Sequence, residues 1–306
     1  MMAEILLKIL FPLFCIIGIG VLLDRIFKLD LPTLSKLNFY VFVPALLLVK
    51  IADTDIPLAE LLLIGRFNLY LIAALGILAF AVFSVRGFKD RRNILTMGTI
   101  FFNAGNYGVM LVVLAFGERF LSVIAVTLLV QNLVSFSLGL LLVQGGAARP
   151  AQLFKACLRV PAIHAGLVAL LLRALNIDLR TAAPFLYSPL NYLAQGLIPI
   201  ALLTLGVQMS RNWITRSLPA VSAVAVARLL LSPVLAAAIA LAMRFPPQTV
   251  KVLIAIAGLP VAVNVYILSC EYRNQEELAA QMVFWTTLLS AFSLTGILLA
   301  LQYWPG

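Results

Sequence analysis

Apolar residues dominate the chain in long stretches that are separated by short polar or charged segments. About ten of these stretches reach roughly 20 residues, which is the length that a helix needs to cross the hydrocarbon core of a bilayer. They lie near 4–23, 32–51, 66–86, 93–116, 119–143, 156–175, 184–208, 217–243, 247–270 and 278–303. The pattern predicts an all-α integral membrane protein with about ten transmembrane helices.

The composition agrees with a membrane protein. The 306 residues are 63% hydrophobic and 11% charged, whereas a soluble domain is about a quarter charged. The formal net charge of +10 comes from basic residues in short loops, where positive charge sets membrane topology. Nucleic acid is therefore not expected as a partner. We expect the lipid bilayer as a partner instead, with a homodimer left open.

The distribution of lysine and arginine predicts the orientation. With the N-terminus outside, the inner loops hold more basic residues than the outer loops, including Arg216 and the cluster at 86–92 (RGFKDRR). Because basic loops stay in the cytoplasm, we expect a multi-pass protein of the cell inner (plasma) membrane with both termini outside. The first stretch is interpreted as a helix rather than a signal peptide, because Glu4 precedes it and it lacks a small-residue cleavage site.

The two halves of the chain resemble each other in the order of their prolines. Pro12 in the first stretch aligns with Pro161 in the sixth, and Pro44 in the second aligns with Pro199 in the seventh. An odd number of helices per half would force the second half to enter the membrane from the opposite face. Such inverted repeats are typical of secondary transporters.

The repeat predicts one membrane unit made of two five-helix halves, 1–145 and 146–306. The same offset places Asn106 in the fourth stretch opposite Pro260 in the ninth. Proline and leucine could also recur by chance in any chain with many membrane helices. Three matched pairs in the same order make chance the poorer explanation.

Polar and helix-weakening residues interrupt the fourth and ninth stretches near their centres. Proline removes a helical hydrogen bond, and a broken helix is tolerated at membrane depth only where neighbours or water satisfy its freed groups. Two breaks at matching points of an inverted repeat would meet near the midplane. Each would present a helix N-terminus with partial positive charge. The interrupting residues are Asn103, Gly105, Asn106 and Gly108, and then Gly258, Pro260 and Asn264.

A cavity that faces two helix N-termini favours an anion. The carboxamides of Asn103, Asn106 and Asn264 can donate hydrogen bonds to a carboxylate. The alternative is that these asparagines only bridge to neighbouring helices. We therefore predict a secondary transporter that moves a small organic anion by alternating access.

Several short motifs resemble the auxin efflux carrier family over nearly the whole chain. They are NAGNYG followed by AFGE, LTLGVQMS in the seventh stretch, GLPVAVN in the ninth and TTLLS in the tenth. That family includes plant auxin exporters and bacterial permeases for malonate and malate. The resemblance implies ten helices in an inverted repeat of five, related in architecture to sodium/bile-acid symporters. It also implies that broken helices four and nine cross at the substrate site.

One motif departs from the family pattern. The family has a proline after the asparagine-glycine element, whereas Val109 follows Gly108 here. The break in the fourth stretch must then rest on Gly105, Gly108 and the asparagines.

Four further residues complete the list of candidates. Tyr107 and Asn132 are added to the predicted substrate site of Asn103, Asn106, Pro260 and Asn264. Arg228 lies near the centre of the eighth stretch, where a charge is costly. It either attracts the anion or caps carbonyls of a broken helix. His164 either shuttles protons or is hydrogen-bonded and silent.

No enzyme activity, metal site or cofactor is expected. The acidic residues lie at the ends of the stretches, and the single histidine and three cysteines have no metal-ligand spacing. A sodium ion held by backbone carbonyls or a proton stays open as a coupling ion, so sodium-coupled symport is one alternative function. A non-transporting sensory or assembly subunit is another.

Overall fold

The computed structural model describes residues 2–85, 87–211 and 217–304. Within these ranges the chain forms helices and no strand, which confirms the predicted all-α membrane fold. Arg86 and Arg216, which the orientation prediction used, lie outside the described residues. The orientation stays a prediction.

Seven helices in the described part of the chain are long and apolar enough to cross a membrane. A bent pair of shorter helices, α6a (Pro150–Leu158) and α6b (Pro161–Ala174), makes an eighth candidate. The seven are α1 (Met2–Phe27), α2 (Leu31–Ala52), α3 (Leu58–Phe83), α5 (Glu118–Val143), α7 (Pro184–Met209), α8 (Leu218–Ala242) and α10 (Glu276–Gln302).

Two further apolar stretches are split into short helices. The fourth forms α4a (Arg92–Ile100) and α4b (Ala104–Phe116), and the ninth forms α9a (Pro247–Ala257) and α9b (Val263–Glu271). Each half is too short to span a bilayer alone. A count of ten crossings requires each split pair to be one crossing, so the ten-helix inverted repeat stays a prediction.

The sixth stretch differs from its predicted form. Instead of one helix over 156–175, α6a and α6b meet at an angle of 69°. Val160, between them, is extended with φ −89° and ψ 107°, because the ring of Pro161 disfavours helical geometry in the residue before it.

The helices pack in two groups, which meet where α5 packs on α2 and α6b. In the first group, α1 and α2 both pack on α7, and α2 also packs on α6b. In the second, α3 packs on α4a, α5 and α8, and α8 packs on α9a. The start of α4b contacts α7, so one of the two breaks lies where the groups meet.

Ion pairs join helices of the first group at two ends of α7. Arg211, just after α7, donates to Asp24 of α1 at 2.6 Å, and this hydrogen bond raises the pKa of the Arg211 guanidinium. Before α7, Arg180 forms an ion pair with Asp53, and Tyr187 donates to the same carboxylate at 2.9 Å. These contacts hold α7 against α1 and α2.

The backbones of α1 and α7 touch at two glycines. A Cβ on Gly20 would lie 2.4 Å from the carbonyl oxygen of Leu203, and one on Gly206 would lie 2.1 Å from that of Ile17. No side chain fits at these distances, and small residues at helix contacts are the usual way for membrane helices to approach closely. The pair therefore sets the spacing of the first group.

Gly206→Ala is expected to lower the free energy of unfolding by about 1–3 kcal/mol, since overpacking forces the two helices apart. Gly18→Ala on α1 is the control, because nothing lies within 4 Å of a Cβ at that position. Thermal unfolding in detergent should show a lower Tm for Gly206→Ala only. Equal Tm values for the two variants would contradict the backbone contact.

Candidate functional site

The breaks in the fourth and ninth stretches lie side by side. Phe102 and Val261 form an isolated antiparallel bridge between them. The Asn103 N–H donates to the carbonyl of Pro260 at 2.8 Å. Non-helical backbone is tolerated at membrane depth only where protein or water satisfies it, and here each break supplies partners to the other.

A second backbone bond and a side chain complete the crossing. The Ala262 N–H donates to the carbonyl of Phe101 at 3.0 Å. The Val261 N–H donates to the hydroxyl of Thr286 on α10 at 3.0 Å. The two breaks and α10 thus form one hydrogen-bonded unit.

Proline causes the break in the ninth stretch. Pro260 has no N–H for the carbonyl of Ile256, which accepts instead from Leu259 at 3.1 Å. This shorter turn ends α9a. α9a therefore ends at Ala257, shortly before Pro260.

Asparagine and glycine shape the break in the fourth stretch, which has no proline. The Asn103 side chain accepts from the Asn106 N–H at 3.1 Å, which is the geometry of an N-cap. A Cβ on Gly108 would lie 2.6 Å from Cδ1 of Leu259. Asn103 thus begins α4b, and Gly108 leaves room for the opposite break.

A cavity opens where α4b and α9b begin. Its water-accessible volume is about 70 Å³. The first N–H groups of a helix have no partner within that helix, and each N-terminus carries about half a positive charge. The polar side chains that line the cavity are Ser35, Asn38, Asn103, Asn106, Gln131, Asn132, Ser135, Thr204 and Asn264.

Several buried amide atoms beside the cavity lack a hydrogen-bond partner in the described structure. Gln131 is 3% exposed, and neither its Nε2 nor its Oε1 is bonded. The same holds for Nδ2 of Asn103 and Oδ1 of Asn38. Buried polar atoms are nearly always paired, so these groups are available to a polar ligand or to water.

The structure brings four predicted site residues, Asn103, Asn106, Asn132 and Asn264, to one cavity. The predicted site includes Asn132 but not its neighbour Gln131. The Asn132 side chain donates to the carbonyl of Leu128 at 2.9 Å, so its donor group is already used within α5. Gln131 is the better candidate of the two.

Two predicted site residues do not line the cavity. Tyr107 is fully buried, its hydroxyl accepts from Ser290 at 3.0 Å, and its ring packs edge-on against Phe14. Pro260 contributes its carbonyl to the crossing. The geometry therefore gives both residues a place in the helix packing.

Arg228 also lies outside the cavity. Its guanidinium donates to the carbonyl of Thr99 at 2.7 Å and to the carbonyl of Ala257. These are the last turns of α4a and α9a. Of the two interpretations of Arg228, the geometry matches the capping of carbonyls.

His164 lies on α6b, exposed and away from the cavity. A ring nitrogen of His164 is 2.7 Å from the carbonyl of Leu158 across the bend between α6a and α6b. This contact matches the silent, hydrogen-bonded interpretation. Within the described ranges, no group of three His, Cys, Asp or Glu side chains could hold a metal ion.

Thr286→Val keeps the shape of the side chain but leaves the buried Val261 N–H without its acceptor. We expect the free energy of unfolding to fall by about 1–3 kcal/mol, the cost of an unsatisfied buried group. Thr295→Val is the control on the same helix, because the Thr295 hydroxyl donates to Ala291 of α10. Denaturation curves that coincide for the two variants would contradict the role of Thr286 in the crossing.

Comparisons with known proteins point to membrane transporters. Residues 150–298 match a family described as "Membrane transport protein". A protein of Rhizobium meliloti (strain 1021) named "Putative malonate transporter" is 28% identical over 97% of this chain and 96% of its own length. An "Uncharacterized transporter" of Methanothermobacter thermautotrophicus is 24% identical over 87% of each chain. The resemblance found in the sequence to the auxin efflux carrier-like family of membrane transport proteins is confirmed by this match, which lies in the second half of the chain.

Proposed function

We propose that this protein is a secondary transporter that binds a small organic anion in the cavity between α4b and α9b. One observation carries the proposal. Two helix N-termini and several unpaired amides meet in a single cavity, at the point where two broken helices cross. The match to a membrane transport family supports the binding of a transported molecule in this cavity.

The charge of the cavity favours an anion. Each helix N-terminus contributes about half a positive charge, so the two together approach one full positive charge. None of the described side chains that line the cavity is acidic. A carboxylate placed there would face the positive ends of two helices in a region of low dielectric, where hydrogen bonds to an anion are strong.

The amides supply directed hydrogen bonds. Nδ2 of Asn103 and Nε2 of Gln131 are free donors, and both can reach for carboxylate oxygens. Oε1 of Gln131 and Oδ1 of Asn38 are free acceptors, which suit a hydroxyl or a protonated carboxyl group. This combination supports a short dicarboxylate, and the name of the Rhizobium relative makes malonate the first ligand to test.

The two helix groups support alternating access. Ion pairs hold α7 to α1 and α2 at both of its ends, while the crossing belongs to the other group. Rigid movement of one group against the other would open the cavity to each side in turn. An inverted repeat would interchange the contact of α1 with α7 and the contact of α2 with α6b. It would also interchange the contact of α3 with α4a and the contact of α8 with α9a.

Sodium-coupled symport and a non-transporting subunit remain as alternatives to this function. Uptake of labelled malonate and related acids by proteoliposomes separates them. Saturable uptake without sodium supports the proposal. Uptake that requires sodium supports symport, and a folded protein with no saturable uptake of any organic acid contradicts the proposal.

Asn264→Asp tests the charge of the cavity. The new carboxylate would lie in the first turn of α9b, where a negative charge stabilises a helix, so the protein should stay folded. We expect the affinity for malonate, measured by calorimetry, to fall by about tenfold or more because two anions would compete for the same positive ends. Asn176→Asp, with the same charge change at an exposed loop position, should bind as the parent does. Unchanged affinity in Asn264→Asp would place the anion elsewhere.

Amide variants test the hydrogen bonds. Gln131→Leu, Asn106→Ala and Asn264→Ala should each reduce malonate uptake by about tenfold or more, because each removes polar groups that a bound carboxylate uses. Tyr107→Phe is the control, since its hydroxyl is bonded to Ser290 away from the cavity, and its uptake should match that of the parent. Full uptake by the three amide variants, with their folding verified by gel filtration, would rule out this site.

A further inference from the structure

The crossing frees one backbone carbonyl at the end of α4a and another at the end of α9a. In an unbroken helix, the carbonyl of Thr99 would accept from the Asn103 N–H, but that N–H donates to Pro260. The carbonyl of Ala257 would likewise lose the Val261 N–H, which donates to the Thr286 hydroxyl. Neither carbonyl faces the cavity, so neither is satisfied by a ligand there.

One guanidinium satisfies both freed carbonyls. Arg228 is completely buried; its Nη1 donates to Thr99 at 2.7 Å, and its Nη2 donates to Ala257 and to the hydroxyl of Ser232. The Ser232 hydroxyl in turn donates to the Ala257 carbonyl at 2.9 Å. The Cζ atom of the guanidinium lies 4.8 Å from the centre of the Phe102 ring, in the crossing itself.

The charges at this point balance without a carboxylate. A helix C-terminus carries about half a negative charge, so the ends of α4a and α9a together offset about one positive charge. None of the ion pairs found among the described residues includes Arg228. The two helix ends are therefore the counter-charge of a buried cation, which would otherwise be costly at this depth.

We propose that Arg228 is a positioning residue that acts as a tethered cation. In transporters with broken helices, unwound carbonyls and helix C-terminal ends can coordinate a mobile coupling ion. Here a guanidinium occupies such a place permanently. It links the end of α4a to the end of α9a. Because the crossing joins α4a to α4b and α9a to α9b, Arg228 also sets how the N-termini of α4b and α9b face the cavity.

If Arg228 is the cation of the crossing, the effect of sodium on the stability of the parent and of its variants can be predicted. The parent protein needs no metal cation at the crossing, so its stability should not depend on sodium. Removing the guanidinium would leave two uncompensated carbonyl ends and the space of a long side chain. Sodium could then bind the oxygens that Arg228 had occupied.

The test compares Arg228→Met and Arg228→Lys with the parent, and uses Arg173→Met as the control. Arg173 also donates to a backbone carbonyl, that of Ile56 at 3.0 Å, but outside the crossing. Each Tm is measured without substrate in sodium chloride and in N-methylglucamine chloride, and malonate affinity is measured in both.

The parent and Arg173→Met should show the same Tm in both salts. Arg228→Met should have a lower Tm that sodium raises, and its affinity for malonate should fall by about tenfold or more, in line with the loss of hydrogen bonds to a charged group. Arg228→Lys should lie between them, because lysine keeps the charge but lacks the planar fork that reaches both carbonyls.

A parent Tm that depends on sodium would overturn the proposal. So would an Arg228→Met variant with the Tm and malonate affinity of the parent in sodium-free solution. If Arg228→Met does not fold, Arg228→Lys decides the question: a folded protein that binds malonate supports the tethered cation, and one as unfolded as the methionine variant contradicts it. The malonate measurements rest on the proposed function, whereas the Tm in the two salts does not. A parent that binds no malonate would thus refute malonate as the ligand alone, because the Tm values in the two salts still decide the tethered cation.

Discussion

The need to satisfy backbone groups inside the bilayer governs this structure. Two apolar stretches are interrupted, and unpaired N–H and C=O groups inside a bilayer are costly because no bulk water reaches them. The breaks satisfy one another through the bridge of Phe102 with Val261 and the backbone bonds on either side. Thr286 and Arg228 take up groups that the bridge leaves. Neither broken helix would be stable at this depth without the other.

The same constraint gives the crossing two electrically different sides. The C-termini of α4a and α9a contact Arg228, and the N-termini of α4b and α9b lie at the cavity that contains Asn103 and Gln131. The cation therefore meets the negative ends, and the positive ends are left for a ligand. The match to a membrane transport family accords with a cavity that faces these positive ends.

Much of this arrangement could be predicted from the sequence, because length, apolar content and breaking residues are local properties. Pro260 marks the end of α9a, and Asn103, Asn106 and Asn264 fall beside one cavity. The direction of a side chain is not local. Adjacent residues of a helix point about 100° apart, so the choice between Gln131 and Asn132 depended on how α5 is rotated. Tyr107 and Arg228 had the same ambiguity, which only the packing of neighbouring helices resolves.

The central claim is that helix N-termini make the cavity electropositive, and thiol reaction rates measure this directly. Cys15, Cys157 and Cys270 are replaced by alanine, and Asn264→Cys provides one reporter in the cavity. The ratio of the reaction rate of an anionic methanethiosulfonate reagent to that of a cationic one of similar size should be higher for Asn264→Cys than for a free thiol in solution. Malonate should slow the reaction. A preference for the cationic reagent would contradict the account, since a cavity that attracts cations could not hold a carboxylate between these helix ends.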